Sequence, residues 1–183
     1  MEYRIKFNGV TTLSEARYAA AAGATWIGFP MDGALAAAKI QEIAGWLQGP
    51  ELVGEYAIWP DSATRLDHFH ILGLDWIEGT AKDFVNAETP QRAIVRVDMD
   101  SDLEGLPASA VLHAASPDIW MQRKAERQEQ KWMVNLSGAD PGSLDWLSGA
   151  LPFAFSLDAV GEDQTGLRDF STWDDWLEAL ENQ

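Results

Sequence analysis

At 183 residues the chain is long enough to bury the core of one domain and short for two, and a 46% hydrophobic content with nine tryptophans argues against disorder. Twenty-nine acidic side chains against 13 basic ones leave a formal charge of -16, a field that repels phosphate backbones and makes nucleic acid an improbable partner. Without cysteine there is no disulfide framework, thiolate metal site or thiol nucleophile.

The opening residues alternate Arg4 and Lys6 with Ile5 and Phe7, the period of a strand. A polar corner from Asn8 to Thr11 follows. Thr12 with Glu15 three residues later predicts a capping box at the start of a helix over Leu13 to Ala22, which Gly23 closes. Thr25 to Pro30 is a short apolar run of buried-strand type, and Gly33 to Leu47 returns to helical spacing through Ile40, Ile43 and Leu47. Leu52 to Ile58 is the third strand, Pro60-Asp61 opens a helix reaching about Leu72, and Asp75 to Glu78 is the fourth strand. Between Ala81 and Pro90 there is room for only a turn or two of helix before the fifth strand, Arg92 to Asp98, and Ser101 to Ala108 is a poor helix. Ala110 to Ala114 is the sixth strand. Ser116-Pro117 then supplies a cap and a first-position proline for a helix over Asp118 to Gln130. Trp132 to Leu136 is the seventh strand, Asp140-Pro141 begins another helix, and Pro152 to Leu157 is the eighth strand. A last helix, Thr172 to Leu180, is expected to be capped by Thr172 with Asp175.

Strands alternating with helical segments, without hairpin signals, specify a parallel sheet. Eight units point to a compact (β/α)8 TIM barrel over residues 1–183, a single α/β domain with the fourth and fifth helices shortened. An open doubly wound sheet is the alternative. Active sites on closed barrels lie at the C-terminal ends of the strands.

Several runs carry a family resemblance. Lys6-Phe7-Asn8-Gly9-Val10-Thr11 resembles the Lys-x-Cys-Gly-Ile/Leu-Thr opening of the phosphoribosylanthranilate isomerases, (β/α)8 barrels of tryptophan biosynthesis. Gly23 to Phe29, Val53-Gly54, Leu72 to Asp75, Leu136-Ser137-Gly138 with Pro141, and Gly166 to Asp169 are similar to later family runs. The resemblance implies an Amadori isomerisation of a phosphoribosylamine, in which a cysteine base and a carboxylic acid on the sixth strand move protons. In this chain those positions hold Asn8 and His113, a degenerate pair. An Asn amide does not accept a proton at neutral pH, whereas His can shuttle one. The family's arginine loop after the second strand is absent, since Met31-Asp32-Gly33-Ala34 leads almost straight into a helix. The resemblance also implies phosphate binding by turns after the seventh and eighth strands, here Ser137, Gly138 and Gly161, with Asp158 placed where it would repel the anion.

Strand parity adds further candidates. Lys6 points into the barrel if Ile5 and Phe7 face the helices, and either acts electrostatically or pairs with Glu78 or Asp98. Arg96 and Asp98 share one parity on the fifth strand, so Glu78, Arg96 and Asp98 are candidate substrate-binding residues. Asp98-Met99-Asp100-Ser101-Asp102 has calcium-loop spacing without the required glycine and glutamate, and His68 and His70 stand off one helical face; neither a metal nor another cofactor is expected. The nine tryptophans are read as filling core gaps or covering helix seams, with an exposed cluster of Trp173 and Trp176 supporting a homodimer as the alternative. No apolar run approaches the roughly 18 residues of a membrane span and no signal-peptide pattern opens the chain, so a cytoplasmic protein without membrane contact is expected. The function expected is that of a diverged, isomerase-like barrel binding a small phosphorylated sugar derivative. A non-catalytic binding or regulatory barrel and a genuine isomerase are the alternatives.

Overall fold

The computed structural model describes residues 3–33, 37–85, 92–147, 151–159 and 169–182. Its eight strands are β1 (Ile5–Asn8), β2 (Trp26–Pro30), β3 (Glu51–Glu55), β4 (Trp76–Thr80), β5 (Ala93–Val97), β6 (Val111–Ala114), β7 (Lys131–Asn135) and β8 (Ala154–Asp158). All neighbours are parallel and β8 pairs with β1, so the sheet closes into a barrel rather than an open sheet. The helices are α1 (Leu13–Ala21), α2 (Ala37–Ala44), α3 (Ser62–Leu72), α4 (Ala81–Phe84), α5 (Pro117–Arg123) and α6 (Ser171–Glu181). As expected, α4 is a single turn, and no helix is described between β5 and β6. No helix among the described residues is long and apolar enough to cross a membrane.

Local chemistry sets several boundaries. Thr12 caps α1 and the Glu15 carboxylate returns to the Thr12 amide at 3.0 Å, the capping box read from the sequence. Asp61 caps α3, and Gly73 ends it in the left-handed conformation, φ 66°. Ser116 accepts the Ile119 amide and Pro117 fills the first turn of α5. That helix tightens into a 3-10 turn at Lys124–Arg127 instead of continuing to Gln130. The helix expected from Asp140 is likewise reduced to a 3-10 turn at Asp145–Leu147. The cap of α6 is not Thr172: the helix begins at Ser171, whose amide donates to the Asp169 carboxylate at 2.9 Å.

Alternation within the strands creates two cores. Ile5, Phe7, Ile27, Phe29, Ile77, Val95, Leu112, Val134 and Phe155 point outward and pack under the helices. Trp26, Val53, Ile94, Val111, Met133 and Ala154 form a separate buried cluster inside the barrel. Two residues further along each of those strands, the inward positions are Gly28, Glu55, Arg96, His113, Asn135 and Ser156. An apolar floor therefore gives way to a polar layer in one step of the pleat. Trp173 and Trp176 belong to the outer core, each 1% exposed, with Trp173 edge-on to Phe7. The alternative that they form an exposed dimer contact is corrected: α6 turns its apolar stripe inward, where burying two indoles yields more than any surface contact.

Candidate functional site

Lys6 is the centre of the polar layer. It is fully buried, pairs with Glu55 on β3, lies 2.7 Å from Glu78 Oε2 on β4, and donates to Asn8 Oδ1 at 2.6 Å. The bond to Glu55 must cross β2. Gly28 makes this crossing possible, because a Cβ there would overlap the Glu55 carboxylate and come within 2.9 Å of Lys6 Nζ. Gly28→Ala is therefore expected to break this ion pair and to cost about 1–3 kcal/mol of stability, measurable by chemical denaturation.

From Glu78 the network continues around the lumen. Its Oε1 lies 2.9 Å from His113 Nδ1, and His113 Nε2 lies 2.7 Å from Ser156 Oγ. Both ring nitrogens of His113 are thus engaged below the mouth.

Asn8 and Asp158 lie one pleat above Lys6 and Ser156. Asn8 Nδ2 and Asn135 Nδ2 both donate to Asp158 Oδ1, at 2.8 and 2.9 Å. Glu55 Oε2 accepts the Gly9 amide at 2.8 Å. Arg96 reaches over the mouth to donate to the Tyr56 carbonyl. Together with Glu78, His113, Ala115 and Ala159, all of these residues except Tyr56 line a pocket of about 410 Å³ at the C-terminal end of the barrel, a size suited to a small metabolite.

Two carboxylates share one buried ammonium, and their proton affinities diverge. Burial disfavours charge on both. At Glu78 the Lys6 ammonium and then the His113 ring outweigh it, holding the carboxyl well below the ordinary carboxylate range. At Glu55 burial prevails over Lys6, with repulsion from Glu78 added, and the carboxyl is pushed up. Burial also opposes the charge on Lys6, but Glu55 and Glu78 together raise its affinity for the proton. Environments that separate two carboxyl groups in this way set up an acid–base division of labour.

The linkage has a sign for each group. Glu78, depressed in the fold, contributes stability that is present above its unfolded value and lost as pH falls. Glu55, raised in the fold, contributes at low pH and loses that contribution as pH rises above its unfolded value. Urea unfolding from about pH 6 down to about pH 3 is expected to show a smaller loss of stability in Glu78→Gln than in the parent, although the variant is less stable at the upper end.

The structure brings Lys6, Asn8, Glu78, Arg96 and His113 together at this site. Asp98 is not among them. It lies just beyond β5, where its carboxylate accepts the Ser101 hydroxyl at 2.7 Å and the Asp100 amide at 3.2 Å, so the chain has left the strand and parity no longer governs it. In the turn after β7, the Ser137 amide donates to Asn135 Oδ1 and its hydroxyl accepts the Asp158 amide. Gly138 adopts φ 83°. Gly161 lies outside the described residues. Sequence reading missed Glu55 and Asn135 as lumen groups. The signal for Glu55 was its parity with the apolar Val53, and for Asn135 its parity with Met133.

No family model and no curated protein matches the chain. Solved structures do. Phosphoribosyl anthranilate isomerase from Thermotoga maritima is similar over 100% of both chains at 16% identity, with a TM-score of 0.74. An enzyme of the same name, solved in complex with reduced 1-(o-carboxyphenylamino)-1-deoxyribulose 5-phosphate, is similar over 100% of both chains at 17% identity, with a TM-score of 0.72. KGPDC from Streptococcus mutans is similar over 99% of both chains at 12% identity, with a TM-score of 0.65. At these identities the likeness establishes the barrel fold, and chemistry has to be argued from the residues.

Proposed function

We propose that this barrel binds a small phosphorylated sugar derivative over the C-terminal ends of its strands, with Glu55 as the group that moves a proton on it. The carrying observation is the sharing of Lys6 between Glu55 and Glu78, with the carboxyl of raised proton affinity lining the pocket. Glu78 stays ionised and keeps Lys6 charged. Glu55 takes a proton from the carbon next to a ligand carbonyl and returns it to a neighbouring atom, which is general acid–base catalysis by one residue in two steps. Lys6 beneath it stabilises the carboxylate form. Arg96, the one guanidinium among the described residues that line the pocket, meets the anionic group of the ligand. The neighbouring barrel solved with a deoxyribulose 5-phosphate compound supports a sugar phosphate as the ligand class.

The test is ribulose 5-phosphate incubated with the protein in D2O and followed by proton NMR. Loss of the proton next to the carbonyl, faster than in buffer, supports the reading; exchange no faster than in buffer at saturating protein rejects it.

A second reading is a binding or regulatory barrel without catalysis. It is favoured by Asn8, whose amide is held between Lys6 and Asp158, and by the full engagement of His113. Saturable calorimetric binding of the same compound with no exchange selects it. Turnover of phosphoribosylanthranilate itself is not expected, because the amide of Asn8 accepts no proton.

A further inference from the structure

The polar groups at the mouth are directional. Asn8 Oδ1 accepts from Lys6 and Asn135 Oδ1 accepts from the Ser137 amide, so both carboxamides are oriented with their NH2 groups toward Asp158 Oδ1. The backbone of Asp158 is fixed as well: its amide donates to Ser137 Oγ at 2.7 Å and its carbonyl accepts Trp173 Nε1 at 2.8 Å. One carboxylate oxygen, Oδ2, takes no hydrogen bond from any described residue, while Asp158 lines the pocket. These contacts hold an aspartate in place on both its side chain and its backbone and leave one oxygen for a ligand.

This arrangement opposes an anion at the β7–β8 end of the mouth. The Ser137 amide that an anion would need is already donating to Asn135. The guanidinium of Arg96 stands three strands round the barrel from β8. The Asp158 carboxylate at one side and the Arg96 guanidinium at the other match a ligand that carries both signs.

We infer that Asp158 forms a subsite for a protonated amine, so that the ligand is a zwitterion: an amino sugar phosphate or a compound of the same charge pattern, with its ammonium on Asp158 and its phosphate on Arg96. The inference rests on the reading of this pocket as a site for a sugar-derived phosphate and names its charge class. A charge-assisted contact to a positioned carboxylate separates an amine from the hydroxyl in its place by about tenfold or more in affinity.

Calorimetric titration of the full chain with glucosamine 6-phosphate and with glucose 6-phosphate at neutral pH tests it. These probes differ at the amine alone. The expected result is binding of the amine-bearing compound about tenfold or more tighter, with the preference lost in Asp158→Asn. Equal affinities in the parent chain overturn the amine subsite and leave the sugar phosphate reading standing, and that comparison needs no variant. A preference that persists in a folded Asp158→Asn overturns the assignment to Asp158. Failure of both compounds to bind at millimolar concentration overturns the sugar phosphate reading, and the subsite with it.

Discussion

Lys6→Met is expected to lower the free energy of unfolding by about 3–5 kcal/mol, the range for removing one partner from a buried charged network. Methionine fills much of the same space, so little of the loss comes from a cavity. The loss arises because Glu55 and Glu78, both at the wall of a buried layer, are left facing each other without the ammonium that separates their charges. Asn8 Oδ1 also loses its donor. Combining Lys6→Met with Glu55→Gln and Glu78→Gln is expected to recover a large part of the loss, since the neutral amides no longer repel. Urea denaturation of the parent, the single variant and the triple variant measures this directly. A single variant within about 1 kcal/mol of the parent is incompatible with a buried ion pair at the centre of the barrel.

Glu55→Gln is expected to act the other way round, with a small effect on folding and a large one on chemistry. Glutamine keeps one acceptor oxygen, so it serves either Lys6 or the Gly9 amide and turns its NH2 toward the other. It also removes a carboxyl that burial and Glu78 both push toward the neutral form. The lost acceptor and the removed carboxyl act in opposite directions, so stability at neutral pH is expected to stay within about 2 kcal/mol of the parent. Among the groups that share the buried ammonium, Lys6 is fully buried and Glu78 is held ionised by Lys6 and His113, whereas Glu55 combines a raised proton affinity with a place on the pocket wall. The solvent-exchange rate of ribulose 5-phosphate is expected to fall by about 10²–10⁴, the usual contribution of one positioned acid or base. Comparing its exchange rate with the calorimetric affinity for the same compound separates lost chemistry from lost binding.

Much of the scaffold was legible because its signals are local. The capping box of Thr12 and Glu15, the cap at Ser116 before Pro117, and the left-handed stop at Gly73 each depend on neighbours within a few residues. The inward direction of Lys6 followed from the parity of β1 alone. Contacts across strands were harder to foresee. Glu55 joins Lys6 only because β2 presents Gly28 between them, and no single segment contains all three. Asp98 was misplaced because parity was extended past the last residue of β5 into a turn. For the two tryptophans of α6 the core reading holds and the surface alternative does not, because the stripe they share with Leu180 is the buried face. The chemical meaning of the opening corner was read through Asn8; the structure shows Asn8 as a link between Lys6 and Asp158, with Glu55 beside it on the pocket wall.

The proposed function gives proton transfer to Glu55 and not to the position of Asn8. Ribulose 5-phosphate exchange in D2O, measured for Asn8→Ala and Glu55→Gln side by side, tests that assignment most directly. The expected losses are less than about tenfold for Asn8→Ala and about 10²–10⁴ for Glu55→Gln. Equal rates for Glu55→Gln and the parent chain, or a larger loss for Asn8→Ala than for Glu55→Gln, contradict it.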